Sequence, residues 1–186
     1  MTKQQRIRRL APLAIATTLL GSAGVGAQSM DDFVISPENA QLTLNRAEIS
    51  VDTAEQIAKH CAEWATEREV RAAIVILGPS GNIVYAYRMD GLNPVNVDTA
   101  ILKAESVLYM RTTTQNMVDR YGANMRGTFY HLEQFPHAGG LPIMVGDQLI
   151  GAIGIGGAGG GRIDEECAHD AMTAVIGPQP PLPPVE

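Results

Sequence analysis

The segment of residues 141–155 constrains the fold most, because it reads as two adjoining apolar strands. Residues 141–145 and 148–155 are almost uninterruptedly apolar, and they are joined by Gly146 and Asp147, residue types that favour hairpin turns. A strand without polar alternation is covered on both faces. The pair is therefore predicted to lie at the centre of a sheet, and the rest of the chain must cover that sheet.

The remaining patterns supply a second hairpin and the covering helices. Apolar residues recur at alternating steps of four and three from Ala47 to Ala65, and Asn45 with Glu48 forms a plausible capping pair, so a long helix is predicted from Asn45. The other predicted elements are a hairpin at residues 72–77 and 83–89, helices at 96–110, 112–121 and 164–175, and an irregular segment at 122–138. This order predicts an α/β fold with a mainly antiparallel sheet flanked by helices.

The two ends of the chain differ from this central part. Four basic residues precede an apolar run at residues 10–20 and small residues at 25–27, which is the order of a secretory signal peptide. We expect cleavage after Ala27 and a periplasmic or secreted location; Arg8 and Arg9 leave the twin-arginine route open beside the unfolded one. Residues 28–41 are predicted to be a flexible lead, 42–177 one domain and 178–186 a Pro-rich tail.

Charge and hydropathy narrow the range of partners. The net charge of −6 includes the four basic leader residues, so the mature chain would carry −10. Such a charge repels phosphate backbones and anionic surfaces, and nucleic acid is therefore not an expected partner. The leader's apolar run is interrupted and shorter than the roughly 20 residues of a membrane span, so no membrane insertion is expected after cleavage.

Six segments, taken in order, resemble the GlcG/HbpS family, which includes the C-terminal domain of PduO proteins. They are residues 42–44, 78–84 with 88–91, 98–104, 139–143, 151–157 and 164–168. The resemblance implies a profilin-like α/β/α sandwich, assembly into dimers or larger homo-oligomers, and binding of haem or a related tetrapyrrole. It does not imply one activity, because a fold can carry many functions.

A haem site needs an axial donor beside flat apolar surface, and residues 125–137 provide both. His131, His137 and Tyr130 are the candidate donors, near Phe129 and Phe135. The alternative is that the same side chains only pack against the domain or a partner subunit.

The resemblance adds a second candidate donor. Family members can bind iron through a hydroxyl after the lysine-bearing helix, which places Thr113 and its threonine neighbours at the matching position.

Gly156 and Gly157 precede the last helix, whose free N–H groups could bind an anionic group beside Arg162. The acidic residues 164–166 could instead cap that helix. A dinucleotide fingerprint is rejected, because no βαβ unit follows.

Lys103 raises the alternative of an enzyme. It lies on the inward side of its helix, at the family's lysine position, where an ammonium is costly unless it is paired or faces a cleft. Asp98, Glu105 or the acidic start of the last helix could pair with it. With Tyr85 and Tyr87, a partly desolvated lysine could act without a cofactor as an isomerase, hydratase or lyase on a small organic acid or carbonyl compound. A third hypothesis is an accessory protein of a periplasmic oxidoreductase system.

Cys61 and Cys167 are the two cysteines of the chain, and both fall on inward stripes of the first and last helices. Export would make a disulfide between them reasonable. Two reduced cysteines that only pack fit the pattern equally well. His60 is next to Cys61, and His169 lies two residues after Cys167. Neighbouring helix residues point about 100° apart, so a histidine and its cysteine cannot easily share one ion, and no metal site is expected.

Overall fold

The computed structural model describes residues 47–121 and 126–183. Its elements are α1 (Val51–Glu67), β1 (Ala73–Leu77), β2 (Ile83–Arg88), α2 (Pro94–Met110), α3 (Thr114–Tyr121), α4 (Arg126–His131), β3 (Gly140–Val145), β4 (Gln148–Gly156) and α5 (Gly161–Ile176). The predicted signal peptide and flexible lead lie outside the described residues. The segment predicted to be irregular contains the short helix α4.

The four strands form one sheet in the order β2-β1-β4-β3, and all neighbours are antiparallel. Helices α1 and α5 pack together on one face, and α2 covers the other. The predicted α/β/α sandwich is therefore confirmed. The central position predicted for both strands of the apolar hairpin is correct for β4 and wrong for β3, which is an edge strand. Pro142 within β3 has no N–H to donate to a further strand, which suits an edge.

Helix α1 begins six residues after the predicted start at Asn45. Ser50 is its N-cap, and the Ser50 side chain accepts a hydrogen bond from Thr53 N at 3.2 Å. Residues 47–50 are not helical, and Ile49 N donates to Ile150 O of β4 at 3.0 Å. The helix begins at the Ser50 cap rather than where the apolar periodicity begins. The cap determines the start because the Ser50 side chain accepts from a backbone N–H that has no partner within the first turn.

Glycines in the strands let α2 approach the sheet backbone directly. A Cβ built on Gly154 would lie 2.8 Å from Ala104 N, and one built on Gly140 would lie 2.7 Å from Lys103 O. The helix meets this surface with small residues, among them Ala100 and Ala104, which are fully buried. The glycine-rich sequence of β4 therefore has a packing role.

Candidate functional site

Lys103 of α2 forms a buried ion pair with Asp164 in the first turn of α5, beside the end of β4. Lys103 Nζ donates to Asp164 Oδ2 at 2.6 Å and to Ile155 O at 2.8 Å. The two side chains are 4% and 5% exposed. Of the partners considered from sequence, the acidic start of the last helix is the one that the structure places here.

Asp164 has a second role in closing the loop between β4 and α5. Its Oδ1 accepts a hydrogen bond from Ala158 N at 2.9 Å. Burial raises the pKa of Asp164, while the Lys103 charge and the hydrogen bonds from Lys103 and Ala158 act in the opposite direction. A Cβ on Gly139 would lie 2.6 Å from Asp164 Cβ and 2.9 Å from Lys103 Nζ, so the pair is tightly enclosed. This arrangement fits the ion-pair interpretation of Lys103.

The structure does not bring Lys103 together with Tyr85 and Tyr87. Both tyrosines lie on β2 opposite Ile76 and Ile74, which belong to the core beneath α1 and α5. Tyr85 Oη donates to Glu55 Oε1 at 3.4 Å, and Tyr87 is exposed. Lys103 extends from α2 on the opposite face of the sheet.

Gly156 and Gly157 lie against the first turns of α2. A Cβ on Gly156 would lie 2.6 Å from Thr99 Oγ1, and one on Gly157, whose φ is +91°, would lie 2.9 Å from Leu92 Cδ2. A side chain at either position would therefore collide with residues 92–99, at and just before the start of α2.

The two loop histidines have different environments. His131 ends α4 and is exposed. His137 is half-buried, and its ring centroid lies 4.5 Å from that of Phe135. Phe135 N donates to Ser106 Oγ at 2.7 Å, which fastens this segment to α2. The side chain of Tyr130 lies outside the described residues.

Cys61 and Cys167 form a disulfide between α1 and α5. Both residues are fully buried in the core beneath these helices. The bond closes a loop of 106 residues, so it links the beginning of the described domain to its end.

Within the described part of the chain, a cavity of about 500 Å³ lies between α3, β3, α5 and residues 179–183, which we call the C-terminal strap. Its lining is mainly apolar and consists of Thr113, Asn116, Leu141, Pro142, Met144, Glu165, His169, Met172 and the strap. Ligand sites typically measure about 300–1,000 Å³ and combine apolar walls with a few polar groups. The cavity has the size and character of a small-molecule site, and Thr113 is the sequence-predicted residue that lines it.

The polar side chains around the cavity differ in the hydrogen bonds that they already make. Thr113 Oγ1 accepts a hydrogen bond from Asn116 N at 3.0 Å, at the start of α3. His169 Nε2 lies 2.8 Å from Pro180 O of the strap, and Arg162 Nη1 donates to Pro183 O at 2.7 Å. The side chain of Met144 is partly open to solvent at 44% exposure. The strap is thus fastened across the cavity by two side chains of α5.

Glu165 is the most unusual group of the cavity. It is 1% exposed, and within the described part of the chain neither carboxylate oxygen has a hydrogen-bond partner. Arg162 Nη1 lies 3.7 Å from Glu165 Oε2, a charge contact without a hydrogen bond. Burial raises the pKa of Glu165; Arg162 and His169 lower it, while Asp119 and Glu166 add to the increase.

Sequence reasoning missed Glu165, Met144 and His169 as cavity residues. For Glu165 a signal was present: it precedes Met172 by seven residues, so both lie on one stripe of α5. Within residues 47–121 and 126–183, no three His, Cys, Asp or Glu side chains lie close enough to hold a metal ion. No helix in the same ranges is long and apolar enough to cross a membrane.

Comparison with known proteins gives a consistent set of similarities. Residues 49–173 match the family model described as haem-degrading protein HbpS-like. The uncharacterized 15.0 kDa protein of the dhaT-dhaS intergenic region of Citrobacter freundii is 27% identical over 115 residues, 60% of this chain and 81% of the relative.

Solved structures show the same fold. A double mutant of Streptomyces reticuli HbpS matches with a TM-score of 0.66 and 22% identity, over 91% of this chain and 99% of the other. The complex of PduOC with haem matches with a TM-score of 0.63 and 26% identity, over 72% of this chain and 100% of that one.

Proposed function

Because the chain belongs to the family of haem-degrading HbpS-like proteins, we propose that it binds haem or a related tetrapyrrole. The relative solved in complex with haem supports the ligand class, since it is 26% identical to this chain. The observation in this molecule that carries the proposal is the apolar cavity of about 500 Å³ beneath the strap.

The residues of the cavity fit a flat apolar ligand with a metal at its centre. Leu141, Pro142 and Met172 provide apolar surface, and Met144 and Thr113 provide a thioether and a hydroxyl beside it. Thioethers are established axial donors to haem iron, and the threonine hydroxyl is the donor that the family resemblance indicates. When bound, haem would supply an iron atom that takes such a donor; the protein's residues would hold and orient the ring.

His131 and His137 are the competing donors. His131 is exposed on α4, and His137 packs against Phe135, so neither belongs to the residues that line the cavity. Because imidazole is a common donor to haem iron, the experiment must test both histidines as alternatives to the cavity residues. Haem held by them would occupy the surface around α4.

Titration with haemin, followed by the Soret absorbance, tests the proposal. We expect saturable binding by the mature chain, weakened at least tenfold or shifted in its Soret maximum by Thr113→Val or Met144→Leu. His131→Ala and His137→Ala are the matched comparison, and they should leave both quantities unchanged. Met144→Leu should keep its fold because it nearly preserves side-chain volume. Thr113→Val also loses the hydrogen bond from Asn116 N at the start of α3, a loss of about 0.5–2 kcal/mol, so circular dichroism should establish that this variant is folded.

Two results would count against this account. The absence of any saturable spectral change in the wild-type chain would refute tetrapyrrole binding itself. Weakened haemin binding or a shifted Soret maximum in a histidine variant, and not in a cavity variant, would indicate that the ligand binds around α4 instead.

The proposal also includes export and self-assembly. The leader pattern of residues 1–27 supports a periplasmic or secreted protein, and the family resemblance supports a homo-oligomer. The mass in solution from sedimentation of the mature chain checks the second point, and a monomer at micromolar concentration would contradict it.

A further inference from the structure

Glu165 presents an acceptor that the described structure leaves without a donor. Glu165 belongs to the residues that line the cavity, it is 1% exposed, and neither oxygen of its buried carboxylate has a hydrogen bond to any described residue. A buried charge without hydrogen bonds costs free energy, because water no longer solvates it. The Arg162 guanidinium at 3.7 Å offsets part of that cost, but it is already hydrogen-bonded to Glu166 and to the strap.

Two other polar groups of the cavity already have hydrogen-bond partners. Thr113 accepts from the backbone of α3, and His169 contacts the strap carbonyl of Pro180. Glu165 is therefore a fully buried cavity residue whose carboxylate oxygens have no hydrogen bond within the described part of the chain, and it lies beside apolar residues such as Leu141 and Met172. A ligand that fits this combination has flat apolar surface and N–H donors within it.

The C-terminal strap provides a route to the carboxylate. Water does not reach either oxygen of Glu165, so a wall of the cavity must move before a ligand can contact them. Residues 179–183 form neither helix nor strand, and three of them are prolines without an N–H. Hydrogen bonds from His169 and Arg162 fasten this wall, whereas the other walls belong to α3, β3 and α5.

We infer that Glu165 makes the cavity selective for tetrapyrroles whose pyrrole nitrogens still carry protons, that is, metal-free rings or open-chain tetrapyrroles. The inference rests on the proposed tetrapyrrole function. In haem all four pyrrole nitrogens bind iron and none can donate a hydrogen bond. An open chain carries N–H groups along its inner edge, and a metal-free ring can present its inner N–H groups to an acceptor above the ring when they tilt out of its plane. Either can then donate to the Glu165 carboxylate in a charge-assisted hydrogen bond.

Binding of three probes to the full mature chain tests the inference: protoporphyrin IX, biliverdin and haemin, each titrated by absorbance. The wild-type chain should bind protoporphyrin IX, biliverdin or both. Glu165→Gln, which removes the charge and keeps the volume, should weaken that binding at least tenfold while changing haemin affinity less than threefold. The probe that loses affinity identifies the closed or the open form as the source of the N–H groups.

Glu166→Gln is the matched control, because Glu166 is the next residue of α5, contacts the same Arg162 and is half open to solvent. It should leave all three affinities unchanged. Glu165→Met gives a second comparison that does not depend on the amide, and it should show the same loss. Circular dichroism of each variant establishes that the fold is intact.

The possible failures are distinguishable. Unchanged affinity of Glu165→Gln and Glu165→Met for the metal-free probes would overturn the inference, as would an equal loss for haemin. A wild-type chain that binds haemin and neither metal-free probe would overturn the inference and leave the proposed function standing. A chain that binds none of the three would refute the proposed function as well.

Discussion

Replacing Lys103 by Met tests the buried ion pair at the centre of the domain. The substitution keeps an unbranched side chain of similar length but leaves Asp164 buried at 5% exposure without its cation. Removing one partner of a buried pair typically costs about 3–5 kcal/mol, because the remaining charge has no solvent. Stabilities of domains lie at about 5–15 kcal/mol, so a loss of this size is readily measured.

Urea unfolding followed by circular dichroism provides the assay. With a slope of roughly 2 kcal/mol per molar urea, the expected loss lowers the midpoint by about 1.5–2.5 M. Lys59→Met is the matched control, since Lys59 pairs with Glu55 at 3.0 Å on the exposed surface of α1. Its midpoint should stay within the error of the measurement, because exposed pairs contribute little.

The pH dependence of the same variant gives a second readout. Burial raises the pKa of Asp164 above its ordinary value of 3.8, and loss of Lys103 removes influences that oppose this rise. A carboxyl with a raised pKa in the folded state is destabilising while it is ionised, and the penalty disappears as the pH falls toward the ordinary value. The stability gap between wild type and Lys103→Met should therefore narrow as the pH falls from 8 toward about 4.

The double variant Lys103→Met with Asp164→Asn separates charge from shape. The amide keeps an acceptor for Ala158 N but carries no charge, so this variant should recover more than half of the stability that Lys103→Met loses. A midpoint for Lys103→Met equal to that of Lys59→Met, or a gap that does not change with pH, would refute the reasoning.

Three further predictions follow from other parts of the molecule. Reduction of Cys61 and Cys167 should add two mass units and lower stability by about 4–5 kcal/mol on the chain-entropy estimate for a 106-residue loop; an unchanged mass would show that they are not bonded. Gly154→Ala should destabilise by about 1–3 kcal/mol in urea unfolding, because its Cβ would meet the α2 backbone, whereas Gly127→Ala, whose Cβ meets nothing within 4 Å, should not. Mass spectrometry of the protein from a periplasmic extract should give a chain that begins after Ala27; an intact leader would contradict the export proposal.

Much of the fold could be predicted from the sequence, because local patterns report it directly. The apolar periodicity of α1, the turn residues at 78–82 and the glycine-bearing strand β4 each indicated the correct element. Two predictions were wrong, the start of α1 and the central position of β3, because in each case one local sequence feature mattered more than the feature on which the prediction was based. Ser50 rather than Asn45 starts α1, because the cap satisfies a backbone donor, and Pro142 indicates that β3 is an edge.

The candidate site could be predicted only in part, because its walls come from distant segments. Thr113 was identified through the family resemblance, whereas Met144, Glu165 and His169 share the cavity with it only after β3 and α5 have packed. For Lys103 the sequence left several acidic partners open. Which of them meets the lysine depends on where the loop after β4 and the first turn of α5 lie relative to α2, and local sequence patterns do not contain that information.

The most direct measurement is a crystal structure of the mature chain loaded with haemin, with the iron located by its anomalous scattering. The proposal predicts the iron in the cavity between α3, β3 and α5, within bonding distance of Thr113 Oγ1 or Met144 Sδ. An iron atom bonded to His131 or His137 on the surface around α4, with the cavity beneath the strap unchanged, would contradict it.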